Sequence, residues 1–404
     1  MRAYNFCKGL DMNKVAMVVD AHAVGMIAVI RSLGRAGYSV VAIDENPKAL
    51  GFKSNFVAES YCCPPLYSSK FVPWLSGFIA EHGVDVIVPS EGFLHSIGEH
   101  YEEYSRLLPD AVPLEIWRRC LSKVATQVML TSALPESEWH LPHAGIVSEV
   151  PQLPGEQALH ELRGPFYVKA DAGLSKGEKE AQVLRCETVA EMRETVHWLL
   201  KGYQSILWQQ HVPGKKVGVS LWRHKGEIIA ENMTLGIHMD PWRGGMMSLR
   251  KSFWHDKLLE DAKGKMELLG WQGVAMMEYK WDPITDEFWF IEINARYWGY
   301  LHLDLFADKD FPKLQVDAFF GHVQNDLGEP ADKYSSRHTV PGEISYLLSR
   351  LKDKDLGLFV KIKSIAGFFL RFLDFRTKSD LWFPEDRLLY LRCLAGYLRQ
   401  LFTR

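Results

Sequence analysis

One stretch, about two-thirds of the way along the chain, holds most of the residues able to do chemistry together. Gly273-Val274-Ala275-Met276-Met277-Glu278-Tyr279-Lys280 is followed by a turn at Asp282-Pro283 and then by Phe288-Trp289-Phe290-Ile291-Glu292-Ile293-Asn294-Ala295-Arg296. Two strands joined by a hairpin would set Glu278 beside Glu292, with Asn294 two residues on and therefore on the face of Glu292. Two carboxylates and an amide oxygen on one face repel one another unless a cation fills the space between them. Mg²⁺ held by a few carboxylates and by substrate phosphates is the natural occupant, with Mn²⁺ as an alternative. Arg296 falls in register on the same face, and its planar fork suits a phosphate or a carboxylate. The plain alternative is a solvated strand face of alternating charge. The Phe, Trp and Ile residues around the polar positions argue instead for a closely packed sheet.

The elements that must position these residues can be read outward from them. Val15 to Val19, a helical spacing over Ile27 to Leu33, and Tyr38 to Asp44 form a strand, helix and strand, and Val84 to Ser90 forms a third strand. Short apolar runs of this kind suit a buried parallel sheet. Such sheets bind ligands at the carboxyl ends of their strands, which places Asp44, Glu45, Ser90 and Glu91 at a candidate cleft, although turn chemistry alone also favours Asp and Ser there. A passage with Pro135, Pro142, Pro151, Pro154 and Pro165 separates this unit from the next. Phe166 to Ala170 and Ser205 to Gln210 read as strands, and the alternation of Val217, Val219 and Leu221 with Ile228 to Ala230 around Lys225-Gly226 reads as an antiparallel hairpin. Leu356 to Phe375 mixes Leu, Phe and Ile with Lys361, Lys363 and Arg371. This is first an amphipathic helix packed on the protein; peripheral attachment to a membrane surface is the sharper alternative.

Whole-chain properties narrow the class. At 404 residues and 47% hydrophobic content the chain exceeds a single core, which stops growing at roughly 250–300 residues, so two or three domains are expected. Its 47 Lys and Arg against 50 Asp and Glu leave a net charge of −3, with no global field to recruit nucleic acid. Cys7, Cys62, Cys63, Cys120, Cys186 and Cys393 lack zinc-site spacing and are expected as reduced thiols of a cytoplasmic protein. Lys8, Asp11, Lys14 and Asp20 interrupt any signal-peptide core, and no apolar run reaches the roughly 18 residues needed to cross a bilayer. A homodimer, the commonest oligomer, is the expected assembly.

With these motifs in view, the chain resembles the ATP-grasp superfamily, most closely its carboxylate-amine ligases and the carbamoyl-phosphate-synthase-like branch. Glu278, Glu292, Asn294 and Arg296 fit the family's pattern of a Glu on one strand and Glu-x-Asn with a following Arg on the next. The resemblance implies that Glu278, Glu292 and Asn294 ligate the metal and that Lys123 and Lys169 are the two nucleotide lysines. Gly173 to Gly177, with Lys176, would be the phosphate cover. Trp208-Gln209-Gln210-His211-Val212-Pro213-Gly214 would be the hinge that holds adenine, Gln210, His211 and Val212 being its contact residues. Arg250, downstream of Gly244-Gly245, falls where the family places an Arg on the transferred phosphate, and Arg296 joins it as a catalytic residue. Gln210 replaces the usual Glu, and Lys215 or Lys216 stands where an acidic residue usually grips the ribose. Trp208 and Trp271 are candidates for the walls of the adenine slot.

The implied fold is α/β and α+β: an N-terminal parallel α/β (pre-ATP-grasp) domain over 14–120, a two-part ATP-grasp domain over 121–325 and a mostly helical extension over 326–404. The two parts are a small lid, about 140–210, and a metal-bearing part with mixed and antiparallel sheets, about 211–325. The implied activity is ATP- and Mg²⁺-dependent: activation of a carboxylate as acyl phosphate and amide formation with an amine. The tail from Leu373 to Asp386 resembles extensions in members linked to surface-glycan or secondary-metabolite assembly. A kinase using the same nucleotide site and a catalytically weak ATP-binding scaffold are the alternatives.

Overall fold

The computed structural model describes residues 14–135, 140–155, 161–162, 164–171, 174–176, 181–241 and 245–402. Gly173, Gly177 and Gly244 lie outside the described residues.

The first sheet is parallel, in the order β3-β2-β1-β4, with β1 Val15–Val19, β2 Ser39–Asp44, β3 Glu59–Cys62 and β4 Val86–Val88. β1 and β2 are almost wholly buried, as near-continuous apolar runs covered on both faces must be. Asp44 and Ser90, expected at a cleft, carry local turn chemistry. Asp44 accepts the His22 N–H at 2.8 Å, His22 Nδ1 at 2.7 Å and the Asn46 N–H at 2.7 Å, and Ser90 caps the helix Glu91–Ile97 by accepting the Phe93 N–H at 3.0 Å.

A second sheet is antiparallel, in the order β5-β8-β6-β7, with β5 Ala144–Val147, β6 Phe166–Ala170, β7 Gln182–Cys186 and β8 Ile206–Gln210. The helix Val189–Leu200 buries Val189, Met192, Val196 and Leu199, one stripe at helical spacing, beneath this sheet.

The third sheet holds the chemistry. Its seven strands run β13-β12-β9-β10-β11-β14-β15, with β9 Lys215–His224, β10 Glu227–Asp240, β11 Met246–Ser252, β12 Gly273–Trp281, β13 Phe288–Asn294, β14 Ser335–Arg337 and β15 Thr377–Ser379. β9 and β10 are joined at Lys225-Gly226, where the hairpin is expected. The sheet is two-faced. Val217, Val219 and Leu221 are fully buried against Leu258, Leu259, Ala262 and Met266 of the helix Asp256–Leu269. Burying each such side chain contributes roughly 1.5–3 kcal/mol. The alternating residues Lys216, Gly218 and Ser220 face the other way, toward the site.

The extension after residue 326 is helical over Ile344–Lys352, Leu358–Leu370 and Arg387–Phe402. It also supplies the three-residue strands β14 and β15, and these cover the edge of β11 that would otherwise be open. The apolar face of Leu358–Leu370 points outward, since no residue of that helix is buried, which departs from the expectation of a helix packed by its apolar side. The described cysteines, Cys62, Cys63, Cys120, Cys186 and Cys393, are free thiols. Among the described residues no helix is long and apolar enough to cross a membrane.

Candidate active site

The β12–β13 hairpin sets Glu278 directly opposite Glu292 and Met276 opposite Asn294. A regular ladder would not have done so. From the turn, Trp281 faces Phe288, Lys280 faces Trp289 and Tyr279 faces Phe290, so the next partner of Glu278 would be Ile291. A register shift at this point skips Ile291 and brings Glu292 into line. Phe288 and Phe290 thereby stay in the core, while Glu292 and Asn294 switch to the face of Glu278.

Cations from four separate places in the chain converge on these carboxylates. Lys216, at the start of β9, pairs with Glu278, Nζ to Oε1 2.8 Å, and also donates to the Gly245 carbonyl at 3.1 Å. Lys123 opens the helix Lys123–Ala133 and lies 3.7 Å from Glu292. That helix end is pinned. Ser122 caps it by accepting the Ala125 N–H at 3.0 Å, and Asp171, just after β6, accepts from Ser122 Oγ at 2.8 Å and from the Val124 N–H at 3.0 Å. Lys169, on β6, is only 4% exposed and has no ion pair within 4.0 Å among the described residues. Arg296 donates to Glu91 at 2.8 Å, to the Asn294 side-chain oxygen at 3.0 Å and to the Tyr297 carbonyl at 3.0 Å, tying the hairpin to the parallel sheet.

The electrostatics follow from this crowding. Burial works against ionisation of Glu292, but Lys123, Lys169, Lys216 and Arg296 outweigh it and hold the carboxyl below its ordinary range. For Lys169 burial dominates. It drives the ammonium below the usual lysine range, with Lys123 adding repulsion and Glu292 only partly compensating. Burial also opposes the charge on Lys216, yet Glu278 more than compensates and its pKa rises.

The hinge leaves β8 at Gln210. The Gln210 N–H donates to the His143 carbonyl at 2.7 Å, its side-chain amide donates to the Leu162 carbonyl, and the His211 N–H donates to the Pro165 carbonyl at 2.9 Å. The Val212 N–H has no hydrogen-bond partner among the described residues. Gly214 closes the hinge with φ 104°, and a Cβ there would lie 2.6 Å from the Trp281 carbonyl oxygen, so only glycine fits.

Other expected residues are placed differently. Arg250 is on β11, on the same sheet face as Lys216, but it is 1% exposed and its Nη2 lies 2.5 Å from Asp380 Oδ1, an internal partner from the C-terminal extension. Lys176 is exposed and donates to the Leu200 carbonyl at 2.7 Å, at the end of a helix. Trp208 is buried in the core of the second sheet. Trp271 precedes β12 at the end remote from the hinge, since it is Trp281 that meets Gly214, and its indole N–H donates to the Val274 carbonyl at 3.1 Å. Neither tryptophan lines the hinge. Lys216, read from the sequence only as a residue in the ribose position, is the partner of Glu278, and Asp171 was not singled out. The alternation of Lys216 with Gly218 and Ser220, opposite an apolar face, was the available signal for the first. A cleft of about 1150 Å³ opens beside Lys123, lined also by Glu91, His95, Asp171, Leu174 and Ala181 among others.

No family model matches the chain, and no curated protein sequence does. Solved structures do. An L-amino acid ligase from Bacillus licheniformis superposes with TM-score 0.59 at 16% identity, over 77% of this chain and 75% of that one. The ADP complex of an N5-carboxyaminoimidazole ribonucleotide synthetase gives TM-score 0.61 at 13% identity, over 90% and 97%. The biotin carboxylase domain of the Hydrogenobacter thermophilus 2-oxoglutarate carboxylase, with MgADP, gives 0.59 at 18% identity, over 80% and 73%. These likenesses cover the parallel sheet, the small antiparallel sheet and the large, mainly antiparallel sheet as one arrangement, and the chain has the ATP-grasp fold.

Proposed function

We propose that this protein is an ATP-dependent ligase that activates a carboxylate as an acyl phosphate and joins it to an amine. The observation that carries the reading is the ring of Lys123, Lys169, Lys216 and Arg296 around the facing pair Glu278 and Glu292. Two carboxylates and the Asn294 side-chain oxygen fit a hard divalent cation. A nearly buried lysine with no ion pair among the described residues, next to a second lysine, fits a polyphosphate. The Val212 N–H fits an acceptor nitrogen of adenine. Structural neighbours solved with ADP and with MgADP support the use of a nucleotide.

In this reading Glu278, Glu292 and Asn294 would hold Mg²⁺, which would supply charge neutralisation for the polyphosphate. Lys123 and Lys169 bind the phosphates and aim the γ-phosphorus at the acid. Lys216 orients Glu278 through their ion pair. Arg296, anchored by Glu91, stabilises charge on the transferred group, and Arg250 braces the sheet through Asp380. The substrate carboxylate attacks the γ-phosphorus, ADP departs, and the amine displaces phosphate from the acyl carbon. Closing the cleft keeps water from that intermediate.

The test is release of ADP and inorganic phosphate with ATP and Mg²⁺ across pools of amino acids and amino sugars, for the intact protein and for Glu292→Gln. Acid-dependent release of both products, lost in the variant, is expected. ADP without free phosphate would replace the ligase with a kinase, and no turnover in any pool despite ATP binding would replace it with a scaffold.

A further inference from the structure

The helix Leu358–Leu370 is built the wrong way round for a soluble surface. At roughly 100° per residue, Leu358, Phe359, Ile362, Ile365, Phe369 and Leu370 fall within one arc of about 140°. All six are exposed, Phe359 at 79% and Leu358 at 75%. The chain beyond the helix continues the patch with Phe372, Leu373 and Phe375, the last 91% exposed. The opposite side of the helix is held to the protein by polar and cation–π contacts. Arg350 Nε donates to Ser364 Oγ at 3.0 Å, Arg337 donates to the Phe368 carbonyl at 3.1 Å, and the Arg337 guanidinium lies 3.8 Å from the centre of the Phe372 ring. A contiguous apolar surface of this kind, presented outward by a well-anchored helix, marks an interaction face.

Charge identifies the occupant. From Arg350 to Lys378 there are eight Lys and Arg against three Asp, a local charge of +5 in a chain whose total is −3, so the remainder carries −8. On the helix itself Lys361 falls about 40° beyond Ile365, and Lys363 about 20° beyond Leu370, one lysine on each rim of the apolar arc. Lysines so placed can reach phosphate headgroups while the arc between them enters the acyl boundary. A second copy would bring the same +5 face against itself, which disfavours self-association here. The helix is also too short to cross a bilayer and must lie in its surface.

We propose that Leu358–Leu370, with the turn through Phe375, is a docking face that seats this protein on an anionic lipid surface. The proposal does not depend on the ligase reading. Its test is flotation of the full chain with vesicles of phosphatidylcholine alone and of phosphatidylcholine mixed with phosphatidylglycerol, alongside size measurement in solution. Binding to the anionic vesicles is expected, and it weakens as salt is raised. Both Phe359→Ser/Phe369→Ser and Lys361→Glu/Lys363→Glu should weaken it by at least about tenfold, with an unchanged melting temperature as the control for folding. Absence of binding to either vesicle overturns the proposal. So does a dimer that Phe359→Ser/Phe369→Ser converts to monomer, because a second copy would then be the occupant.

Discussion

Lys169→Met separates a lysine kept for a ligand from one kept for the fold. Methionine nearly matches the lysine stem in length and flexibility, so the change removes the charge and little else. Burial has pushed the Lys169 ammonium below the ordinary lysine range, so the folded protein without nucleotide disfavours this charge relative to the unfolded chain. The sign follows from proton uptake. Between the depressed and the ordinary pKa the unfolded state binds more protons, so stability rises with pH through that window, and below the depressed pKa the charged form carries the full penalty. Glu292 loses one favourable neighbour in the variant but keeps Lys123, Lys216 and Arg296. The apo variant should therefore melt at the same temperature as the intact protein or higher. Nucleotide binding should move the other way. Loss of a hydrogen bond to a charged group costs about 1.5–3 kcal/mol, which weakens MgATP binding by about 10- to 150-fold. The stabilisation given by saturating MgATP should shrink by the same amount at fixed ligand. Thermal denaturation with and without MgATP, together with titration calorimetry, measures both. A fall of several degrees in the apo melting temperature with unchanged affinity would refute the reasoning, and would make Lys169 a structural partner of Glu292.

Asp380→Ala leaves Arg250 buried without its partner, so a loss of about 3–5 kcal/mol in denaturant unfolding is expected; a change below about 1 kcal/mol would mean that Arg250 finds another counter-ion. Asp304 is buried, accepts from Asn232 and from the Trp298 indole N–H at 2.8 Å, and has its pKa raised by burial to about 7. A carboxyl raised in the folded state holds its proton there while the unfolded chain has lost it, so stability should fall as pH climbs from the ordinary Asp value through about 7. Asp304→Asn should flatten that slope in urea unfolding carried out at several pH values.

Much of the site could be read from residue types and spacing. Glu292, Asn294 and Arg296 alternate, so any strand puts them on one face, and Lys169 follows a strand that carries it to the site. The change from a parallel to an antiparallel sheet was legible for a related reason: β1 and β2 are the short apolar runs of a sheet covered on both faces, whereas β9 alternates Val217, Val219 and Leu221 with polar or small residues. The helix Leu358–Leu370 was legible as an element but not in its orientation, because a hydrophobic stripe specifies that something covers it and does not say what.

The sequence by itself determined the chemical inventory of the site, namely two glutamates in a hairpin, an amide and an arginine in step with one of them, and lysines at strand and helix ends. The tertiary structure decided which of these meet. The register shift at Ile291 turns Glu292 toward Glu278, and ladder register depends on how both strands pack, which local spacing does not contain. Lys216 meets Glu278, Arg296 meets Glu91 and Arg250 meets Asp380, pairs separated by 62, 205 and 130 positions in the chain. Charges are mobile partners until a fold fixes their distances. Only a packed structure could show that Arg250 is answered from the C-terminal extension while Lys169 has no ion-pair partner among the described residues.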